Sequence, residues 1–312
     1  MTKMPKKTAA PANGAKKTKN VAKAKASVTK EKTTVVKPRS PKKETNAPLR
    51  RAKSAQPAKA PGETRFEAAA ASAVAALEKL GSKVVREQMG PRYGIHTERA
   101  FGVPMNRIQA MAKELGRSHA LAGALWSTGW YEARLLAVFV EEPARVTTAQ
   151  MERWSRDFDN WAVCDTVCMH LFDRLPQAFD MIRQWAARPG EFQKRAAFAL
   201  LASVALHDKR AADDVFHGCL PILERAAIDD RNFVKKAVSW ALRAISRRSP
   251  ALRTATLALA RQLAASKEPT PRWIGNDVKR AIEKAPPVRS QPKGGKGTSK
   301  ISYLARSPAQ AK

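Results

Sequence analysis

Acidic residues are scarce in this chain of 312: 27 Asp and Glu stand against 58 Lys and Arg, leaving a formal net charge of +31 at neutral pH. That imbalance favours a polyanionic partner, because each phosphate neutralised by Lys or Arg releases condensed counterions. Cysteine is scarcer still, with three residues at 164, 168 and 219. Three is too few and too odd for a disulfide framework, which points to a reducing compartment. No stretch approaches the roughly 18 uninterrupted apolar residues of a membrane span, and the N-terminus lacks the apolar segment of a secretory signal. These absences lead to the expectation of a soluble cytoplasmic protein, nucleoid-associated if bacterial, with no membrane partner. Phosphate-binding glycine loops, dinucleotide fingerprints and helical zinc-protease motifs are also missing.

The charge is unevenly placed. Residues 1–62 hold 18 Lys or Arg, two acids (Glu31 and Glu44) and no Phe, Trp or Tyr. Such an arm cannot bury enough apolar surface to offset its ordering entropy, so disorder is expected. Its Lys, Ala, Pro and Thr composition resembles that of linker-histone tails, which hold nucleic acid by charge without reading sequence. Residues 286–312 add six basic residues and no acid, interspersed with Gly, Ser and Pro, and read as a second flexible basic tail. The domain between them, residues 63–285, keeps 34 basic and 25 acidic residues, a net of +9. With 44% apolar residues overall, the chain can build a sizeable core.

Within that domain the apolar residues recur at spacings of three and four, and no two-residue alternation is sustained, so the expected class is all-α. Ser249-Pro250 and Thr270-Pro271 each read as a helix start, and Thr147 with Gln150 fits a capping box. Stops are expected at Gly116, at Pro176 and around Pro189-Gly190. Four segments overlay when Arg134, Asp165, Arg195 and Lys236 are set in one column, giving periods of 31, 30 and 41 residues. Periods of that size suit stacked helix pairs of the HEAT type, that is, an α-solenoid with one column of equivalent positions along a concave face. Three of the four members of that column are cations and one is an acid. From spacing alone, Asp165 is more simply read as the structural partner of a neighbouring Arg than as a catalytic acid.

Trp161 and Asp165 lie four apart, which puts an indole and a carboxylate on one helical face. Trp240 stands four after Lys236, and stacked repeats could bring both indoles, Asp165 and Arg195 together. Trp126, Trp130, Trp154 and Trp185 read as core packing. Cys164, Cys168 and His170 have a superficial metal-ligand spacing but no second ligand pair nearby, so no metal or other cofactor is expected. His207-Asp208 reads as a hydrogen bond at a loop or helix end.

The pieces Trp161-x-x-x-Asp165, Lys194-Arg195-Ala196-Ala197-Phe198, His207-Asp208-Lys209, Arg231-Asn232-Phe233-Val234-Lys235-Lys236-Ala237 with Trp240, and Arg272-Trp273-Ile274 occur in order. Together they resemble the AlkD-like DNA alkylation repair family of HEAT-like repeat DNA glycosylases, over most of residues 92–284. The resemblance implies a monofunctional glycosylase that releases cationic N3- and N7-alkylated purines from double-stranded DNA, the first step of base excision repair. It places Trp161, Asp165, Arg195 and Trp240 at the catalytic positions, and implies a duplex held in the concave groove with Arg195 gripping a phosphate near the lesion. Lys194, Arg195, Lys235, Lys236, Arg134 and Arg272 are the expected DNA contacts, and a monomer is expected. The competing readings are a non-catalytic nucleic-acid-binding HEAT-repeat protein, with Asp165 structural, and a protein-interaction scaffold.

Overall fold

The computed structural model describes residues 61–288, and their regular structure is entirely helical. Residues 1–60 and 289–312, which carry nearly all of the two basic tails, lie outside the described residues. The helices are α1 (Pro61–Lys79), α2 (Lys83–Tyr93), α3 (Met105–Leu115), α4 (His119–Ser127), α5 (Tyr131–Val140), α6 (Thr148–Arg156), α7 (Trp161–His170), α8 (Ala178–Ala186), α9 (Glu191–His207), α10 (Asp213–His217), α11 (Leu220–Ala226), α12 (Asn232–Ile245), α13 (Pro250–Ala264) and α14 (Pro269–Lys284). None is long and apolar enough to cross a membrane.

Capping side chains set five of the helix starts. Ser82, Ser118, Thr147, Asn160 and Ser249 each accept a hydrogen bond from a backbone N–H three residues on, satisfying a donor that the first turn leaves open. The capping box at Thr147 is only half made, because Gln150 turns its amide to the buried carboxylate of Glu141 at 2.6 Å. Helix α14 starts two residues before the expected Thr270-Pro271 signal. Pro269 takes the first helical position and Glu268 the cap, so Thr270 lies inside the first turn.

The helices form two layers of an α-solenoid. In one layer α5, α7, α9, α12 and α14 pack side by side in chain order; in the other, α4, α8 and α13 back onto α5, α9 and α14, and α11 bridges α8, α12 and α13. The column of Arg134, Asp165, Arg195 and Lys236 falls on four successive helices of the first layer, each in the fourth or fifth position of its helix. The long last period contains the two extra short helices α10 and α11.

Helix α9 is the centre of the stack. Its residues from Arg195 to Ala205 are buried without interruption, which follows from a sequence apolar all round and from neighbours on three sides, α7, α8 and α12. Small Ala residues let those neighbours approach. Three of the seven Trp residues are core: Trp126 and Trp154 stack at 4.0 Å, and Trp185 is fully buried with its indole N–H on Glu152. Cys164 and Cys168 are buried against α9 and direct their thiols at the Phe192 and Ala196 carbonyls. Burial pushes the Cys168 thiol well up, as befits inert packing residues.

Candidate active site

The column of Arg134, Asp165, Arg195 and Lys236 sits near the N-terminal ends of its helices, where unpaired backbone N–H groups give each helix a positive end suited to phosphate or carboxylate. Asn160 caps α7 and thereby fixes Trp161 at its first position and Asp165 one turn on. Arg195 of α9 meets Asp165 in a bidentate pair, donating Nε to Oδ1 at 2.9 Å and Nη2 to Oδ2 at 2.6 Å. Its Nη1 donates to the Phe233 carbonyl of α12 at 2.7 Å. One guanidinium thus ties three helices together, with its face toward the Phe233 ring at 5.9 Å.

Burial pushes the Asp165 carboxyl up from the ordinary carboxylate range, and the Arg195 guanidinium pulls it back down. The Asp165 side chain is 15% exposed against 8% for Arg195, so the carboxylate is the member of the pair that solvent or a ligand can reach. Each of its oxygens keeps a lone pair beyond the one that Arg195 occupies.

Asp165 lies in the wall of an open cavity of about 480 Å³ lined chiefly by Met89, Ile95, Val103, Tyr131 and Trp161. Trp161 packs on the Met89, Ile95 and Ala100 cluster and donates its indole N–H to the Tyr93 carbonyl at 2.8 Å. Gly94 follows in the left-handed conformation (φ +64°) as the cap of α2, close to the Phe233 ring. The α2 end therefore reaches across to both α7 and α12.

Two features of this cavity are not evident from residue spacing. Glu132, fully buried on α5, accepts backbone N–H groups from Phe101, Gly102 and Val103, so one carboxylate seats the loop that walls the cavity. Gly102 is obligatory there, with φ +81° and no room for a Cβ, which would stand 2.3 Å from the Ser82 carbonyl oxygen. The second feature is Tyr131, whose phenol is pushed up by burial and by the nearby negative charges of Glu132 and Asp159, and so lines the cavity as a neutral hydroxyl.

The remaining column and groove residues divide into engaged and free. Arg134 donates to the Asp157 carbonyl at 3.0 Å, sits 3.8 Å from the Asp159 carboxylate and lies over the Trp126 ring. Lys194 pairs with Asp229 at 3.0 Å, where Arg231 also binds bidentately. These two cations hold the Asp229 carboxyl at about 2. Arg272 donates to the Ser266 and Lys267 carbonyls. Lys235 lies 5.6 Å from the centre of the exposed Trp273 ring, and Lys236 is exposed with no ion pair among the described residues. Trp161, Asp165 and Arg195 are thus brought together. Trp240 is partly buried against the core on α12 and does not line the Asp165 cavity.

His207 pairs with Asp173 rather than with Asp208; the latter accepts the backbone N–H groups of Arg210 and Ala211 just after α9. Among the described residues, no group of three or more His, Cys, Asp or Glu is arranged to hold a metal ion.

The architecture is a HEAT-like repeat fold. The sequence profile of the family described as DNA alkylation repair enzyme matches residues 73–272, and the chain belongs to that family. A solved structure described as belonging to a new family of proteins related to the HEAT-like repeat DNA glycosylases, with affinity for branched DNA structures, is similar in fold. It aligns with a TM-score of 0.58 at 17% identity over 68% of this chain and 94% of the other. No curated protein matches.

Proposed function

We propose that the chain is a monofunctional DNA glycosylase that hydrolyses the N-glycosidic bond of cationic N3- and N7-alkylated purines in duplex DNA. The observation that carries this reading is a carboxylate, Asp165, held by Arg195 in the wall of an apolar cavity beside the Trp161 indole. An alkylated purine already bears positive charge, so the bonding pair leaves with the base without a general acid. The sugar is left oxocarbenium-like. Asp165 stabilises that cation and orients the water that adds to the anomeric carbon, taking up its proton. The indole face of Trp161 favours cationic lesions by about 0.5 to 2 kcal/mol. Arg195 acts as a positioning residue here, since each of its three nitrogens donates a hydrogen bond within the protein; Lys236 and Lys235 of α12 are the phosphate contacts, and Trp240 lies one turn on from Lys236 in the same helix.

The test is single-turnover release of 7-methylguanine from duplex DNA, with wild type and Asp165→Asn at enzyme excess. We expect release by wild type and a loss of about 100-fold or more in the variant. A folded, DNA-binding wild type that releases nothing would favour the second reading, a binding protein without excision. That reading draws on the occupancy of both Asp165 oxygens by Arg195 and on the branched-DNA affinity of the similar solved protein.

A further inference from the structure

The opposite ends of the same helices carry a second row of cations. Three open cavities follow one another along the C-terminal edge of the layer. The first lies between the ends of α7 and α9, the second beyond α9 and α12, and the third beyond α12 and α14. Lys209 lines both the first and the second, and Arg247 both the second and the third. Met169 and His170, which line the first, also line the Asp165 cavity, so the edge adjoins the candidate active site.

The cations along this edge are Arg174, Lys209, Arg210, Arg247 and Lys284, and all five are exposed. Apart from Arg174, whose Nε stands 4.0 Å from Asp173, none has an ion pair among the described residues. Of the carboxylates lining the same cavities, Asp173 is turned to His207 and Asp208 to its own loop, while the Asp213 side chain is partly exposed and stands 4.0 Å from Arg248. Arg248 is the support. Its side chain is 6% exposed, lies over the Phe216 ring at 3.9 Å, and donates to the Ala205, Asp208 and Ala211 carbonyls. Those bonds fix the loop that presents Lys209 and Arg210. Placement at helix C-termini adds favourable contact with the negative helix ends.

We propose that this edge is a second backbone-binding row, so that one DNA duplex lies along the array with a strand held on each flank. Helix α9 has 17 residues and is therefore about 25 Å long. The column lies in the fifth position, so about 18 Å of helix separates the Lys236 side from the Lys209 side, a distance on the scale of a duplex, whose two grooves together are about 18 Å wide. Exposed cations along this margin and Lys236 on the other, with a carboxylate and an indole between them, suit two phosphate chains flanking a lesion. The inference rests on DNA being the partner and does not need base release.

The test compares the full-length protein with its Arg174→Gln, Lys209→Gln, Arg210→Gln, Arg247→Gln, Lys284→Gln variant, none of whose positions touches Asp165. Affinity for an undamaged linear duplex is measured across a range of salt, and thermal unfolding checks the fold. The basic arm is common to both proteins and cancels in the comparison. We expect weaker binding and a log–log salt slope shallower by about 4, close to one counterion per cation removed. An unchanged slope with a wild type that binds overturns the row. Loss on a four-way junction alone, with linear duplex unaffected, overturns the single-duplex geometry. A wild type that binds no DNA brings down the DNA reading itself, which is a different failure from that of the row.

Discussion

Arg195 spends its guanidinium on Asp165 and on the Phe233 carbonyl, so the residue that the family resemblance casts as a phosphate grip is an internal clamp on the acid. Burial raises the Asp165 carboxyl and Arg195 lowers it, which gives the pair a kinetic signature. Protonation abolishes the attraction to an oxocarbenium ion. Base release should therefore fall as pH drops through the Asp165 titration, with an acid limb above the ordinary carboxylate value of about 4. Arg195→Gln removes the lowering influence and should move that limb to higher pH. Single-turnover rates of wild type and variant across mildly acid pH read this directly; an unmoved limb would show that Arg195 does not set the charge of Asp165.

Trp161 combines two roles that one substitution separates. Trp161→Phe keeps a ring on Met89 and Ile95 but removes the indole N–H that holds the Tyr93 carbonyl at 2.8 Å. We expect a stability loss of about 1 kcal/mol and a release rate lower by about fivefold, from the weaker cation attraction of the smaller ring. Thermal unfolding and single-turnover release measure the two effects independently.

Glu132 is the buried acid whose loss should cost most. Glu132→Ala strands the N–H groups of Phe101, Gly102 and Val103 without an acceptor, which predicts a loss of about 3 kcal/mol or more. Because Gly102 and Val103 wall the Asp165 cavity, activity at a temperature where the variant remains folded should fall as well. Denaturant unfolding followed by an activity assay below the new midpoint separates the contributions.

The solenoid was legible because its information is periodic: apolar spacing, caps at Ser249 and Thr147, and a column that recurs along the chain and lands on successive helices of one layer. The pairing of Asp165 with Arg195 was also implicit in that column, as neighbours one repeat apart. What spacing could not supply is the engagement of single side chains. Arg134, Lys194 and Arg272 look like groove cations in sequence and are committed to partners in space, because Asp157, Asp229 and the Ser266 carbonyl approach them from loops outside the repeat. Glu132 escaped for the complementary reason: its ligands are backbone N–H groups some thirty residues upstream, and these leave no residue-type signature. A Gly-x-Pro loop followed by a lone acid at the start of an apolar helix was the available signal.

Asp229 offers a prediction in which stability and binding move in opposite directions. Its carboxyl is held at about 2 first by Arg231 and also by Lys194. A carboxylate depressed on folding contributes stability that is present above its unfolded value and is lost as pH falls through the folded one. Asp229→Asn should then be less stable than wild type at neutral pH, by about 1 kcal/mol after allowance for solvent screening, and the difference should close between about pH 4 and 2. The same change releases Lys194 and Arg231 from their partner at the N-terminal ends of α9 and α12. Affinity for duplex DNA should therefore rise, with a salt slope steeper by about 1 to 2. Tighter binding from a less stable protein is an outcome that a purely structural role for Asp229 does not produce. Paired pH-dependent unfolding and salt-titrated binding would establish whether the Asp229 cluster restrains two cations that otherwise face DNA.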